Sequence, residues 1–328
     1  MEEKIEIGTI GLGLMGSSIA TCILAAGHKV TSVVKSLDEM APAKERVLGY
    51  LKEMQEEGLL SSDPAELVND LTITDALKDL STMPVIIESV YEDPITKKQI
   101  YAELERYVQP DAIIGSNTSA IPVSILQADL KHPERLLGVH WAEPAHITRF
   151  MEIICGDKTK LANAEKVKVL AESWGKEPSV LRKDIRGFIT NRIMYAMIRE
   201  AFHLVEKGYA TYEDVDRSLR NDLGAWITFA GPFRFMDLTG IQAYATVMEE
   251  LFPELDNSAG VPVSMKQLVT AGAQGVRNAQ GFYPYSKASA EEWEKCFSRF
   301  SFDIRKLAEK YPGDIGDQID NADNATKE

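Results

Sequence analysis

Between Ile5 and about Val180 the chain alternates two patterns. Short runs of β-branched and aliphatic residues are separated by longer stretches whose apolar positions recur every three to four residues. The runs are Ile5 to Ile10, Lys29 to Val34, Val85 to Ser89, Ala112 to Ser116, Leu136 to His140, Met151 to Cys155 and Glu177 to Val180. Most are apolar at consecutive positions, as expected of strands buried on both faces, and the stretches between them have the period of amphipathic helices. Strand and helix in regular alternation predict a doubly wound α/β sheet over residues 1–184. After Asp184-Ile185-Arg186-Gly187 the strand pattern stops. Helical periodicity takes over from Phe188 to Lys207 and again from Tyr212 to Arg220, and continues to about Tyr311, predicting an all-α domain over 187–311. The stretch 312–328 is rich in Asp and Asn and poor in apolar residues, which predicts a polar tail outside either core.

Composition narrows the function classes. A chain of 328 residues is long enough for two cores, so neither metals nor disulfides are needed for folding. Cys22, Cys155 and Cys296 are far apart and lack CxxC spacing, so no disulfide framework or metal site is expected, and a reducing cytoplasm is the simplest compartment. No apolar stretch approaches the roughly 20 residues of a membrane-spanning helix. A net charge of −14 without a basic cluster argues against nucleic acid and anionic membranes as partners. A small-molecule substrate is left as the expected partner.

The first strand runs into Gly11-Leu12-Gly13-Leu14-Met15-Gly16 and then into the helical Ser17 to Leu24. This is G-x-G-x-x-G in its strand-turn-helix context, where the first glycine makes the turn, the second admits a pyrophosphate and the third lets helix and strand pack closely. The segment predicts a dinucleotide cofactor. In NAD-binding folds of this kind an acidic residue about 20 positions on, at the end of the second strand, accepts the adenosine ribose hydroxyls. Here that place holds Val34, followed by Lys35 and Ser36. Loss of the carboxylate removes repulsion of a 2′-phosphate, and Lys35 with Ser36 offers it a partner, so the cofactor is read as NAD with NADP possible. A solvated strand-end lysine is the plain alternative.

Three more segments bring polar groups to the ends of apolar runs, where open α/β sheets hold their ligands: Ser116-Asn117-Thr118-Ser119, Leu137-Gly138-Val139-His140 and Phe150-Met151-Glu152. His140 and Glu152, twelve positions apart, can meet across neighbouring strands. The carboxylate would then orient the imidazole and leave its other nitrogen free to take a hydroxyl proton as a hydride leaves the same carbon.

These motifs, with Glu88-Ser89-Val90-Tyr91-Glu92, Gly187-Phe188-Ile189-Thr190-Asn191-Arg192, Gly231-Pro232-Phe233 and Gly281-Phe282-Tyr283, resemble the 3-hydroxyacyl-CoA dehydrogenase family over nearly the whole chain. The resemblance implies a Rossmann-type NAD(P)-binding domain, a helical substrate and dimerisation domain, and a homodimer. It implies His140 as base, Glu152 as its partner, and Ser119 and Asn191 as the groups that hold the substrate oxygen. Glu92, Lys97 and Arg277 fall where the family places cofactor-contacting residues, Arg277 standing in for a lysine.

The sequence also departs from the family. Where the family reads Phe-Phe-Asn-Pro after the histidine, this chain has Trp141-Ala142-Glu143-Pro144, placing a carboxylate near the expected nicotinamide position. The helix after the second strand, lysine-rich in relatives that use coenzyme A, reads Leu51-Lys52-Glu53-Met54-Gln55-Glu56-Glu57, a poor cradle for nucleotide phosphates. Trp226 to Pro232 and the charged helix after Tyr283 are similar to the branch that includes L-gulonate dehydrogenase (lambda-crystallin). The leading expectation is a dehydrogenase of an L-3-hydroxyacyl-CoA. A free 3-hydroxy acid such as gulonate is the first alternative, and a non-catalytic dinucleotide-binding structural protein is the second.

Overall fold

A computed structural model describes residues 4–311; the expected polar tail at 312–328 lies outside the described residues. The chain divides into two compact units, 1–192 and 193–328.

The first unit carries β1 (Glu6–Ile10), α1 (Leu14–Ala25), β2 (Lys29–Val33), α2 (Met40–Glu56), α3 (Pro64–Leu67), β3 (Leu71–Thr74), β4 (Val85–Glu88) and α4 (Pro94–Leu104). It continues with β5 (Ile113–Ser116), α5 (Val123–Gln127), β6 (Leu136–Trp141), β7 (Phe150–Ile154), α6 (Leu161–Ser173), β8 (Glu177–Leu181) and the start of α7 (Thr190–Glu206). The eight strands form one sheet in the order β3-β2-β1-β4-β5-β6-β7-β8. All neighbours are parallel except β6 and β7, which form an antiparallel hairpin. The strand order reverses between β1 and β4, and ligands of open α/β sheets bind outside the carboxyl ends of the strands at such a switch point.

Period-two alternation divides the apolar side chains between two layers. On one face Ile7, Val139, Trp141 and Ile153 pack with Ile19 and Ile23 of α1, Val47 and Leu51 of α2 and Val167 of α6. On the other Ile10, Ile86, Leu136 and Ile154 pack with Tyr101 and Leu104 of α4 and with Phe188. Every residue of β6 is buried, as a strand covered on both faces requires. β3, absent from the seven expected strands, is a four-residue edge strand of sequence Leu-Thr-Ile-Thr, half polar because only part of it is covered.

The second unit holds the rest of α7, then α8 (Tyr212–Asn221), α9 (Leu223–Ile227), α10 (Gly231–Thr239), α11 (Ile241–Leu251), α12 (Val263–Thr270) and α13 (Lys287–Glu309). Ser286 caps α13 by accepting the Ser289 amide, while the Ser289 hydroxyl accepts the Ser286 amide in return. Among the described residues of this unit only Ala290 and Phe302 are buried. Phe233, Val269, Trp293, Phe297 and Phe300 are each at least 60 % exposed.

Candidate active site

The glycine turn explains its own composition. Gly11 has φ +89°, and a Cβ on it would lie 2.7 Å from the Ser89 carbonyl oxygen; one on Gly16 would lie 2.0 Å from the Gly11 carbonyl oxygen. Around Gly13 the space is open to 4 Å, so a phosphate can approach its backbone. Gly13 also caps α1 without any side-chain bond, leaving the positive end of the helix to a ligand. Leu14 and Met15 open that helix; Leu14 is exposed and Met15 packs against the core. Beside the turn runs a cleft of about 760 Å³ along the carboxyl ends of β1, β2, β3 and β4, walled by α4. Apolar Val90, Leu77 and Ile100 line it, as an adenosine requires. These residues fit a dinucleotide.

At the β2 end of this cleft Val34 is buried, its amide donating to the Thr74 carbonyl at 2.9 Å. Lys35 and Lys78 line the mouth together with Glu39 and Asp75. Ser36 is occupied locally, its hydroxyl accepting the Asp38 amide as the cap of a short helical turn, and it does not line the cleft.

His140 and Glu152 are directly opposed in the β6–β7 ladder, which is why twelve residues of hairpin bring them together. His140 Nδ1 lies 2.9 Å from Glu152 Oε2. The other carboxylate oxygen, Oε1, accepts the amides of Ile189 at 3.0 Å and Thr190 at 2.9 Å, at the start of α7. Burial alone would push the Glu152 carboxyl up. The hydrogen bonds from His140 and the Thr190 amide, the charge of His140 and the Ile189 amide outweigh it, and the carboxyl is held below its ordinary value. An ionised Glu152 accepts the Nδ1 hydrogen and leaves Nε2 as the proton acceptor. Phe150 meets the imidazole edge-on at 5.3 Å and Phe188 packs against it at 5.6 Å, fixing the ring.

Ser119 is exposed on the loop after β5, and its carbonyl accepts Asn191 Nδ2 at 2.9 Å, so these two residues are neighbours. Glu92 pins the same loop: its Oε1 accepts the Thr118 hydroxyl at 2.6 Å and the amides of Ser119 at 2.8 Å and Ala120 at 3.2 Å. Lys97 differs from the cofactor-contacting role that the resemblance implies. Its side chain is wholly buried, with Nζ 2.7 Å from Glu88 Oε1 and 3.5 Å from Glu92 Oε2. A cation desolvated in this way is spent on the two carboxylates and supports the Glu92 clamp from beneath. Glu143 is exposed on the loop between β6 and β7, where its charge acts on the Tyr50 hydroxyl. Arg277 belongs to the second unit, in a cleft of about 380 Å³ with Lys287, Glu291 and Glu294.

Sequence reasoning assigned no role to three further polar groups, two of them, Glu88 and Asn117, inside motifs it quoted. Glu88, at the end of β4, is bonded by Lys97, by the Tyr101 hydroxyl and by Ser116 at 2.9 Å. Its signals in the sequence are a carboxylate closing an apolar run and its place in the Glu88 to Glu92 motif. Asn117 accepts the Trp141 amide at 3.0 Å and donates to Ser89 at 3.2 Å, tying the ends of three strands together. His146 is buried between α1 and α2, and no spacing in the sequence announces it.

Comparison with known proteins agrees with this geometry. The NAD binding domain of 3-hydroxyacyl-CoA dehydrogenase matches residues 6–185 and the C-terminal domain of the same enzyme matches 187–285. The chain is 31% identical over 308 residues to 5-formyl-3-hydroxy-2-methylpyridine 4-carboxylate 5-dehydrogenase of Mesorhizobium japonicum, covering 93% of this chain and 98% of that one. A crystal structure of an enzyme of that name, an NAD+ dependent dismutase, superposes with a TM-score of 0.86 at 29% identity, over 94% of this chain and 100% of the other. The 3-hydroxybutyryl-CoA dehydrogenase of Mycobacterium tuberculosis is 32% identical over 289 residues, 87% of this chain and 100% of that one. A crystal structure of the (S)-3-hydroxybutyryl-CoA dehydrogenase of Ralstonia eutropha gives a TM-score of 0.71 at 28% identity, covering 86% and 99%. These matches support the family and not the gulonate branch in particular. Both domains are accounted for in order: the chain belongs to the 3-hydroxyacyl-CoA dehydrogenase family of oxidoreductases.

Proposed function

We propose that the chain is an NAD(P)-dependent dehydrogenase of a free hydroxy acid, not of a coenzyme A thioester. The observation that carries this reading is the charge of α2 and its flanks. Between Glu39 and Glu57 there are five carboxylates (Glu39, Glu45, Glu53, Glu56, Glu57) against three cations (Lys44, Arg46, Lys52), a surface that repels nucleotide phosphates. The higher structural likeness to an enzyme named for a free pyridine carboxylate than to one named for hydroxybutyryl-CoA supports it. The relatives named for hydroxybutyryl-CoA support the thioester as the second reading.

In the oxidation direction His140 Nε2 takes the substrate hydroxyl proton while Nδ1 keeps its hydrogen bonded to Glu152, whose charge stabilises the imidazolium. Ser119 and Asn191 hold the substrate oxygen; Asn191 has one amide hydrogen left for it beyond the one given to the Ser119 carbonyl. The bound nicotinamide supplies the hydride acceptor. With Val34 in place of a carboxylate, both NAD and NADP are accepted. The decisive assay offers free 3-hydroxy acids, gulonate included, and separately acetoacetyl-CoA, each with both cofactors. Turnover confined to free acids is expected, and efficient reduction of acetoacetyl-CoA with none of the free acids overturns the reading.

The second unit supports a homodimer. A helical unit that buries two described apolar side chains and exposes Phe233, Trp293, Phe297 and Phe300 needs its apolar faces covered, and a second copy presents the same faces. Sedimentation at micromolar concentration should give a dimer; an active monomer contradicts it. Among the described residues no helix is long and apolar enough to cross a membrane, and no group of three metal-ligating side chains occurs. Cys22, Cys155 and Cys296 are all free thiols, which suits a reducing cytoplasm.

A further inference from the structure

His146 sits at the middle of the β6–β7 hairpin, six residues from His140 on one side and from Glu152 on the other. Its ring is buried and joins three elements. Nδ1 lies 2.7 Å from the Ser18 hydroxyl on α1, and Nε2 lies 2.9 Å from Glu53 Oε2 on α2. The ring stacks on Tyr50 of α2 at 4.2 Å. The backbone amide of His146 also donates to Ser18 Oγ at 2.9 Å.

Proton accounting fixes the direction of these bonds. An ionised Glu53 only accepts, so Nε2 carries the hydrogen of that bond; in the tautomer with Nδ1 unprotonated the Ser18 hydroxyl donates to Nδ1, while its oxygen accepts the His146 amide. The order serine, histidine, glutamate is that of a nucleophile relay. Ser18 is 2 % exposed with its hydrogen aimed inward, so no substrate reaches it and the relay has no reaction to run. Its value is mechanical. Ser18 lies just over one turn into α1, the helix whose N-terminus faces the phosphate-binding turn, and His146 lies in the loop that joins the two strands carrying His140 and Glu152. The same loop is gripped from its other side by Lys176, whose ammonium donates to the carbonyls of Ala145 and of Thr148, the latter at 2.5 Å. With the loop held by Ser18 and by Lys176, a shift of α1 on cofactor binding has a hydrogen-bonded route to the hairpin loop through Ser18 and His146, beside the apolar packing of α1 on the strands.

We propose that the Ser18–His146–Glu53 bridge is a positioning device that couples occupancy of the dinucleotide turn to the placement of the His140–Glu152 pair. It rests on dinucleotide binding and hydride transfer, not on which substrate is taken, so its failure leaves the substrate reading untouched.

Hydrogen exchange of the full chain, with NADH as the probe, tests the coupling. In the wild type NADH should slow exchange of the amides in 142–148 by about fivefold or more, the lower end of ordinary site-to-site coupling. In Ser18→Ala and in His146→Phe, which keeps a ring against Tyr50, NADH should still bind by nucleotide fluorescence while the added protection of 142–148 disappears. With any turned-over substrate, kcat should fall about tenfold or more with KM for the cofactor within about threefold, because geometry and not binding is lost. Ser18→Ala and His146→Phe together should cost no more than the worse of the two, since both cut one bridge. Glu53→Ala, at a half-buried position, decides the matter if a core variant fails to fold, and Glu53→Gln, which retains an acceptor for Nε2, should restore the coupling. Absence of NADH-dependent protection in the wild type, or equal protection in wild type and folded variants, overturns the proposal.

Discussion

Glu92 Oε1 accepts the backbone amide of Ser119 at 2.8 Å, and through that bond a residue at the end of one strand fixes a loop at the end of the next. The same oxygen takes the Thr118 hydroxyl and the Ala120 amide, while Oε2 faces the buried Lys97. Glu92→Ala should therefore loosen the Ser119 loop and lower kcat/KM for the substrate about tenfold or more, given about 1.5–3 kcal/mol for a hydrogen bond to a charged group. NADH affinity should change less. Titration of NADH by fluorescence alongside steady-state kinetics checks the split; a collapse of cofactor affinity with substrate kinetics preserved would mean that Glu92 acts on the dinucleotide directly.

Three donors converge on the Glu152 carboxylate: His140 Nδ1–H and the amides of Ile189 and Thr190. Glu152→Gln offers one acceptor oxygen in place of two and sets its own N–H groups against a donor whichever way it turns. The variant should lose turnover severely and should also unfold earlier, by about 1–3 kcal/mol for an unsatisfied buried group. His140→Ala should lower kcat about a hundredfold or more with little change in cofactor affinity, because it acts on the proton. A near-normal rate from folded His140→Ala would sink the mechanism.

The depressed Glu152 carboxyl also makes a statement about stability and pH. A carboxyl held below its ordinary value of 4.5 contributes stability that is fully present above that value and is lost as the pH falls through the lower, folded value. The destabilisation caused by Glu152→Gln should therefore be largest near neutral pH and shrink in acid. Urea midpoints of wild type and variant should begin to draw together as the pH falls below 4.5. A gap that stays constant from neutral pH to pH 3 would show that lost packing, and not lost charge, accounts for the defect.

What the sequence made legible follows from what each pattern encodes. Strands buried on both faces leave continuous apolar runs, which made β1, β4, β5, β6 and β7 readable, and the glycine turn was readable because Gly11 and Gly16 have no room for a Cβ. The edge strand Leu71–Thr74 escaped because half-covered, half-polar residues give little contrast over four positions. His140 and Glu152 could be paired because a hairpin turns sequence separation into register. The Ser18–His146 contact spans 128 residues and Glu53–His146 spans 93, and no local pattern carries information over that distance. Lys97 shows the opposite limit: its place in a motif is visible in the sequence, but its complete burial beside Glu88 is decided by tertiary packing.

Cofactor choice turns on the end of β2. Val34 lines the cleft where a carboxylate would accept both ribose hydroxyls and repel a phosphate, so on the proposed reading a valine here should weaken the preference for NAD and tolerate NADP. The same cleft is lined by two cations, Lys35 and Lys78, and two carboxylates, Glu39 and Asp75. If the Lys35 ammonium meets the 2′-phosphate, the contact should contribute about 1 kcal/mol at this exposed position and fade with added salt. Lys35→Ala should then weaken NADP selectively, and Val34→Asp should move the preference toward NAD by restoring both the hydroxyl acceptor and the repulsion. The quantity to measure is the ratio of kcat/KM for the two cofactors in wild type and both variants, at low and high salt. A wild-type preference for NAD above about a thousandfold, roughly 4 kcal/mol, unmoved by Val34→Asp, would place the ribose-reading group elsewhere, with Asp75 at the end of the neighbouring strand as the next residue to change.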